Sequence, residues 1–205
     1  RRRLATAALA TGGASAFIGG RASAQARVLR FGHLHSVDSP VHKGIARAAE
    51  EIEKATSGRY KVNIFPSSQL GAAREMVSQV IDGTLDFISE GPGSLSNLDR
   101  ALSFFEAPFV ARDWDHLMKM LASPFGQQRV GVLADQRNMV HVGTFYYGVR
   151  HFTTKTRALN TAADAKGLKI RVPEAPLFLA MIRALEATPT PMSLGEVYLS
   201  LQTGV

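Results

Sequence analysis

Short apolar segments that read as buried strands alternate with longer segments of helical periodicity, and this alternation constrains the fold more than any other feature. Residues 28–34 form an apolar run suited to a strand. Ser39-Pro40 then supplies a helix N-cap followed by proline in the first turn. Val41, Ile45, Ala48, Ala49 and Ile52 recur at helical spacing until Gly58 ends the element. A strand is expected over 60–65, closed by Pro66, and a helix over 72–81, broken at Asp82-Gly83. A third strand is expected over 84–88. After the turn-rich Gly91-Pro92-Gly93 and the apolar stretch 102–105, helices are expected over 114–122 and 125–135, then a strand over 139–145. The texture then repeats: a strand from Gly148 to Thr153, a polar loop, a strand over 168–172, and helices over 176–186 and 194–201. Strands separated by helices of this length predict an α/β fold with largely parallel sheets.

Two sets of βα units are legible, 27–147 and 148–205. The second ends at Gln202-Thr203-Gly204-Val205 with no closing element. The expectation is a two-lobed molecule: an N-terminal lobe over 27–147 and a partial second lobe over 148–205.

Residues 1–26 are of another kind. They open on Arg1-Arg2-Arg3, continue small and apolar through Leu4, Ala14, Phe17 and Ile18, and reach Ala22-Ser23-Ala24-Gln25-Ala26. A basic start, an apolar middle and small residues spaced A-x-A form the pattern of an export signal, of general secretory or twin-arginine type. The mature chain would then begin near Arg27, outside the cytoplasm. The segment also distorts the charge. Four of the 24 basic residues and none of the 17 acidic ones lie in it, so the formal +7 falls to +3 over the remainder. With no cluster of cations interleaved with aromatics, nucleic acid is not an expected partner. The absence of Cys excludes a disulfide scaffold, a thiolate metal site and a cysteine nucleophile.

Catalytic signatures are weak. His33-Leu34-His35 puts two imidazoles on one face of an extended segment, and His42 is near enough in sequence to imagine a metal site. Surface or hydrogen-bonded histidines at a strand end are the plainer reading. No Gly-x-Ser-x-Gly elbow, phosphate loop or dinucleotide fingerprint occurs. Gly91-Pro92-Gly93-Ser94 reads as a turn, because Pro92 lacks the amide a phosphate cradle uses. Asp82 and Asp86 read as caps at a helix-to-strand break rather than a carboxylate pair. No metal or cofactor is expected.

Arginine at strand ends is the stronger signal. In Gly167-Leu168-Lys169-Ile170-Arg171-Val172-Pro173, period two sends Leu168, Ile170 and Val172 to one face and both cations to the other. Arg171 stands at the carboxyl end of the strand, where open α/β sheets form their ligand crevice. Its planar fork matches a carboxylate, although a surface ion pair would also account for it taken alone. Arg150 follows Tyr146-Tyr147-Gly148, where the chain passes from one lobe to the other, and clefts between lobes are frequent small-ligand sites.

These residues carry a family resemblance. The stretches Phe65-Pro66-Ser67-Ser68-Gln69-Leu70-Gly71, Asp82-Gly83-Thr84-Leu85-Asp86-Phe87, Ala107-Pro108-Phe109, Gly148-Val149-Arg150, Gly167 to Pro173, and Pro189-Thr190-Pro191-Met192 with Glu196 to Gln202 occur in order along the mature chain. Together they resemble the periplasmic solute-binding subunits of tripartite ATP-independent periplasmic (TRAP) transporters, the DctP-type family. The resemblance implies a periplasmic-binding-protein-like fold whose two lobes close on a small organic acid, and delivery of that acid to membrane permease subunits by a monomeric protein without a cofactor. It implies that Arg171 salt-bridges the ligand carboxylate and that Arg150 is a second, less universal arginine. Glu174 and Leu194 would line the pocket, faced from the first lobe by His33 to His35 and by Glu90 and Gly91. Sialic-acid-binding members carry polar or acidic side chains where Leu34, Ala73 and Gly91 stand here, which points to a smaller or more apolar carboxylate. The family's sequences continue beyond Gly204-Val205, which fits an incomplete second lobe. Two other readings share these residues: an exported enzyme with Glu174 or His33 as general base, and a ligand sensor for a signalling partner.

Overall fold

Strand β1 (Arg27–Gly32) is the axis of the first sheet in the computed structural model, which describes residues 25–155 and 157–204. The expected export signal lies outside the described residues except for Gln25 and Ala26. β1 pairs in parallel along its whole length with β2 (Tyr60–Phe65), from Arg27 opposite Tyr60 to Gly32 opposite Phe65. Helix α1 (Pro40–Ala55) makes the crossover. Ser39 caps it as expected, its hydroxyl accepting the His42 N–H at 3.1 Å, and Val41 and Ile45 are buried against the sheet side.

Helix α2 (Ala73–Ile81) returns the chain to the other edge of β1, where the two-residue β3 (Phe87–Ile88) pairs in parallel with Phe31 and Gly32. The close packing of α2 on β1 requires Gly32, since a Cβ there would stand 2.7 Å from Met76 Sδ. The sheet order is β2-β1-β3. The chain steps from β1 to β2 on one side and then back past β1 to β3 on the other, and in open α/β sheets a ligand crevice is expected beyond the carboxyl ends where the order reverses.

A one-turn helix α3 (Pro92–Leu95), a 3₁₀ segment Arg100–Glu106, and helices α4 (Trp114–Ala122) and α5 (Pro124–Arg137) complete this unit. Their core gathers Val77, Leu102, Phe105, Leu133 and Met139. Helix α5 ends at Asn138 in the left-handed conformation.

The second sheet pairs β4 (Lys169–Val172) with β5 (Thr188–Pro191) in parallel, with helix α6 (Pro176–Ala184) between them and α7 (Val197–Thr203) after them. Val172, Ala175, Phe178, Ile182 and Ala187 form its core. β5 was not foreseen, because Pro189 and Pro191 argue against a strand. Their spacing resolves the conflict: at period two both missing donors fall on the edge side, while the flanking amides bond inward, Thr188 N to Leu168 O at 2.8 Å and Met192 N to Val172 O at 3.1 Å.

Every strand pair is parallel, as the α/β reading requires. Two expected strands do not form. Residues 139–155 carry neither helix nor strand, and Val140, Val142, Tyr147 and Val149 are exposed. Alternating apolar residues become a strand only beside another strand that accepts their amides. The segment is held by side chains instead: Tyr146 lies 5.8 Å from Trp114 and Tyr147 lies 5.0 Å from His35, ring centre to ring centre. Among the described residues, no helix is long and apolar enough to cross a membrane.

Candidate functional site

Three strand ends converge on one region: β1 runs into His33, β3 into Ser89-Glu90-Gly91, and β4 into Pro173-Glu174. Arg171 is half-buried at the end of β4. Its Nε and Nη2 both donate to the Met192 carbonyl, at 3.2 and 2.8 Å. That carbonyl belongs to the residue just after β5, so sheet pairing sets the direction of the guanidinium. The side-on edge of the fork is thereby occupied, and the end-on pair Nη1 and Nη2 keeps free hydrogens for an anion. No carboxylate stands within 4.0 Å of Arg171 among the described residues. Burial lowers its pKa from the ordinary value and Arg150 lowers it further, while Glu174 opposes both.

Arg150 crosses to the first unit. Its Nη2 donates to Glu106 Oε1 at 2.7 Å, and its guanidinium carbon lies 4.8 Å from the centre of the Phe178 ring, a cation–π contact. The other Glu106 oxygen accepts the Gly93 N–H, also at 2.7 Å. Gly93 is required by the approach of α6: a Cβ there would meet Phe178 Cε2 at 2.9 Å and Glu106 Oε2 at 2.7 Å. Glu106, Gly93, Arg150 and Phe178 therefore join the two units at one point. Glu106 carried no sequence signal, since its partner lies 44 residues away on a segment with no regular structure.

Glu90 is mostly buried, and its Oε1 has no hydrogen-bond partner. Burial pushes its carboxyl up to about 7 and nearby Glu106 adds to the rise; hydrogen bonds from Ser94 and the Gly91 amide pull the other way. His33 is completely buried. Its Nδ1 accepts the His35 N–H at 3.2 Å, so the neutral ring carries its proton on Nε2 and donates to His42 Nδ1 at 3.0 Å. Burial first, then His42 and His35, lower its pKa to about 4. Both ring nitrogens are engaged, so His33 presents no surface to a solute in this structure. Among the described residues, no group of three or more histidine or acidic side chains could hold a metal. Of the plainer readings of the histidines, surface or hydrogen-bonded side chains at a strand end, the second matches the buried His33.

Glu174 and Leu194 are exposed. Glu174 borders a hollow of about 410 Å³, lined also by Ser68, Glu75, Ser193 and Glu196, which lies between the loop after β2 and the segment after β5. Glu75 and Glu196 also serve as local caps, accepting the Ala72 and Ser193 amides at 2.6 and 2.9 Å. The structure thus brings together Arg150 and Arg171, with Glu90 and Gly91 near Glu106. Leu194 is not among the residues that line the hollow, although its neighbours Ser193 and Gly195 are.

A family model described as bacterial extracellular solute-binding protein, family 7 (DctP), matches residues 31–205. The chain belongs to this family. A curated relative, the sialic acid-binding periplasmic protein SiaP of Vibrio cholerae serotype O1, is 38% identical over 178 residues, which are 87% of this chain and 55% of the relative. A solved TRAP periplasmic solute-binding protein from Polaromonas sp. JS666, bound to D-erythronate, superposes with a TM-score of 0.81 at 32% identity, over 87% of this chain and 58% of that one. A third, from Xanthobacter autotrophicus Py2 with bound β-D-galacturonate, gives 0.79 at 32% identity over 86% and 58%. The chain thus spans somewhat more than half the length of these relatives, and its α/β fold with parallel sheets is that of two-lobed TRAP solute-binding proteins.

Proposed function

We propose that this DctP-family chain belongs to a periplasmic protein that captures an organic acid between its two lobes, divided near 147, and presents it to the membrane permease subunits of a TRAP transporter. The observation that carries the reading is Arg171: a half-buried guanidinium at a strand's carboxyl end, held by one backbone carbonyl, with its end-on pair of donors free. A carboxylate meeting that pair gains two charge-assisted hydrogen bonds, and lobe closure strengthens them by removing water. Glu174 and Leu194 flank the mouth, and Glu90 and Gly91 bound it from the first lobe. The bound D-erythronate and galacturonate of the related structures support an acid as the ligand class.

The hollow beside Glu174 modifies the expectation of an apolar ligand. Its three carboxylates and two serines accept hydrogen bonds, so a tail bearing hydroxyl groups fits it better than a hydrocarbon. Capture rather than turnover is proposed: of the two candidate bases His33 has no free ring nitrogen, and a role for Glu174 is tested by the turnover check below. Residues 1–26 would direct export to the periplasm.

The test is a thermal-shift screen of sugar acids and simpler carboxylates on the full-length protein, with each hit checked for turnover. A stabilising acid recovered unchanged is the expected result. No shift with any acid, or conversion of the hit, would overturn the reading.

A further inference from the structure

We propose that Glu106 determines the charge of the ligand: as the built-in counter-ion of Arg150 it leaves Arg171 as the one of the two guanidiniums without a bonded carboxylate, so the site takes monocarboxylates and discriminates against dicarboxylates. The inference rests on the proposed binding role and goes further by naming the charge class.

Two independent observations support it. The first is the pairing itself. Arg150 Nη2 lies 2.7 Å from Glu106 Oε1, and Glu106 is fixed from behind by the Gly93 amide at 2.7 Å. The side chain of Glu106 is about one-quarter exposed, so the pair is partly shielded from solvent. A second ligand carboxylate at Arg150 would meet a cation already paired with Glu106 and would stand close to Glu106, itself near the mostly buried Glu90. Adding a second carboxylate to a cation that already has one yields little while adding like-charge repulsion.

The second is the hollow beside Glu174. The hollow bordered by Glu174, whose charge acts on Arg171, is lined also by Glu75 and Glu196, with no basic side chain among its lining residues. Two hydrogen bonds from Ser193 lower the pKa of Glu196 and hold it ionised. A second negative charge on the ligand's far end would face this wall, whereas hydroxyl groups would donate to it. Both ends of the site thus disfavour a dianion, and the rejection comes from a repulsive element rather than a missing contact.

The experiment is calorimetric titration of full-length wild type with two matched pairs, D-erythronate against meso-tartrate and D-galacturonate against galactarate, in which the second acid has one further carboxylate on the same carbon skeleton. Wild type is expected to prefer the monoacid at least about tenfold in whichever pair it binds. Glu106→Gln, which keeps an oxygen for the Gly93 amide but releases Arg150, should narrow that ratio about tenfold. The double variant Glu106→Gln with Arg150→Gln restores a neutral pair and should restore the ratio, which separates charge from damage to the fold. A diacid preferred by wild type, or a ratio unmoved in Glu106→Gln, overturns the charge rule while leaving carboxylate capture intact. Binding of none of the four acids counts against both.

Discussion

At the scale of single residues, Arg171 and Glu90 show how the backbone sets the chemistry of a side chain. The Met192 carbonyl that holds Arg171 is available because β5 ends one residue earlier, so a strand ending positions a cation. Glu90 is the converse: a carboxyl with one oxygen left without a partner, whose protonated form the fold prefers. Its folded pKa of about 7 exceeds the ordinary 4.5, so the folded state holds the proton longer than the unfolded chain does. Stability from this group is complete below about pH 4.5 and is lost as pH rises toward 7, by up to about 3 kcal/mol. Glu90→Gln should therefore raise the melting temperature more at pH 8 than at pH 5; an equal change at both would contradict the assignment. His33 has the opposite sign. Its folded pKa of about 4 lies below the ordinary 6.5, so its contribution is complete above 6.5 and is lost as pH falls toward 4. His33→Gln should flatten the acid side of the stability profile measured by thermal unfolding, and an unchanged acid limb would argue against a buried neutral imidazole.

At the scale of elements, close approach and strand partnership decide what forms. Gly93 lets α3 meet Phe178 of α6, and Gly93→Ala would drive a Cβ to within 2.9 Å of that ring. A cost of about 1–3 kcal/mol in denaturant unfolding is expected; a neutral result would mean that the two elements do not pack in solution. The strands β1, β2 and β4 and helices α1, α2, α4, α5 and α6 were legible because each carries its own periodicity, with a cap at Ser39 and breaks at Gly58 and Gly83. Three things were not. β5 is masked by its prolines, which are harmless only because both face the edge. The stretch 139–155 has the alternation of a strand but no ladder beside it. The Glu106–Arg150 pair spans 44 residues and follows no local rule, although Arg150 itself could be singled out from its position. Hydrogen exchange should show the contrast directly: amides of 140–155 exchanging near the unprotected rate while those of β1 and β2 are protected. Equal protection would contradict the described backbone.

At the scale of the whole molecule, the account is one of population shift. In the proposed function, an open form would expose the free donors of Arg171, and a carboxylate touching both units would favour the closed form by its differential contacts. The Arg150–Glu106 contact already links the units, so closure extends an existing junction. Binding to the folded state alone adds about 2.7 kcal/mol at a ligand concentration one hundred times the dissociation constant. For a chain of this size that corresponds to a rise of roughly 5–10 °C in melting temperature, and a saturating ligand that left it unchanged would argue against coupling between binding and the fold.

The central claim, that Arg171 grips the ligand carboxylate, is tested most directly by calorimetric titration of Arg171→Ala beside wild type with the acid that the screen identifies. Loss of the guanidinium should weaken binding by about 2–5 kcal/mol, or about thirtyfold to several thousandfold. An affinity equal to that of wild type would contradict the account.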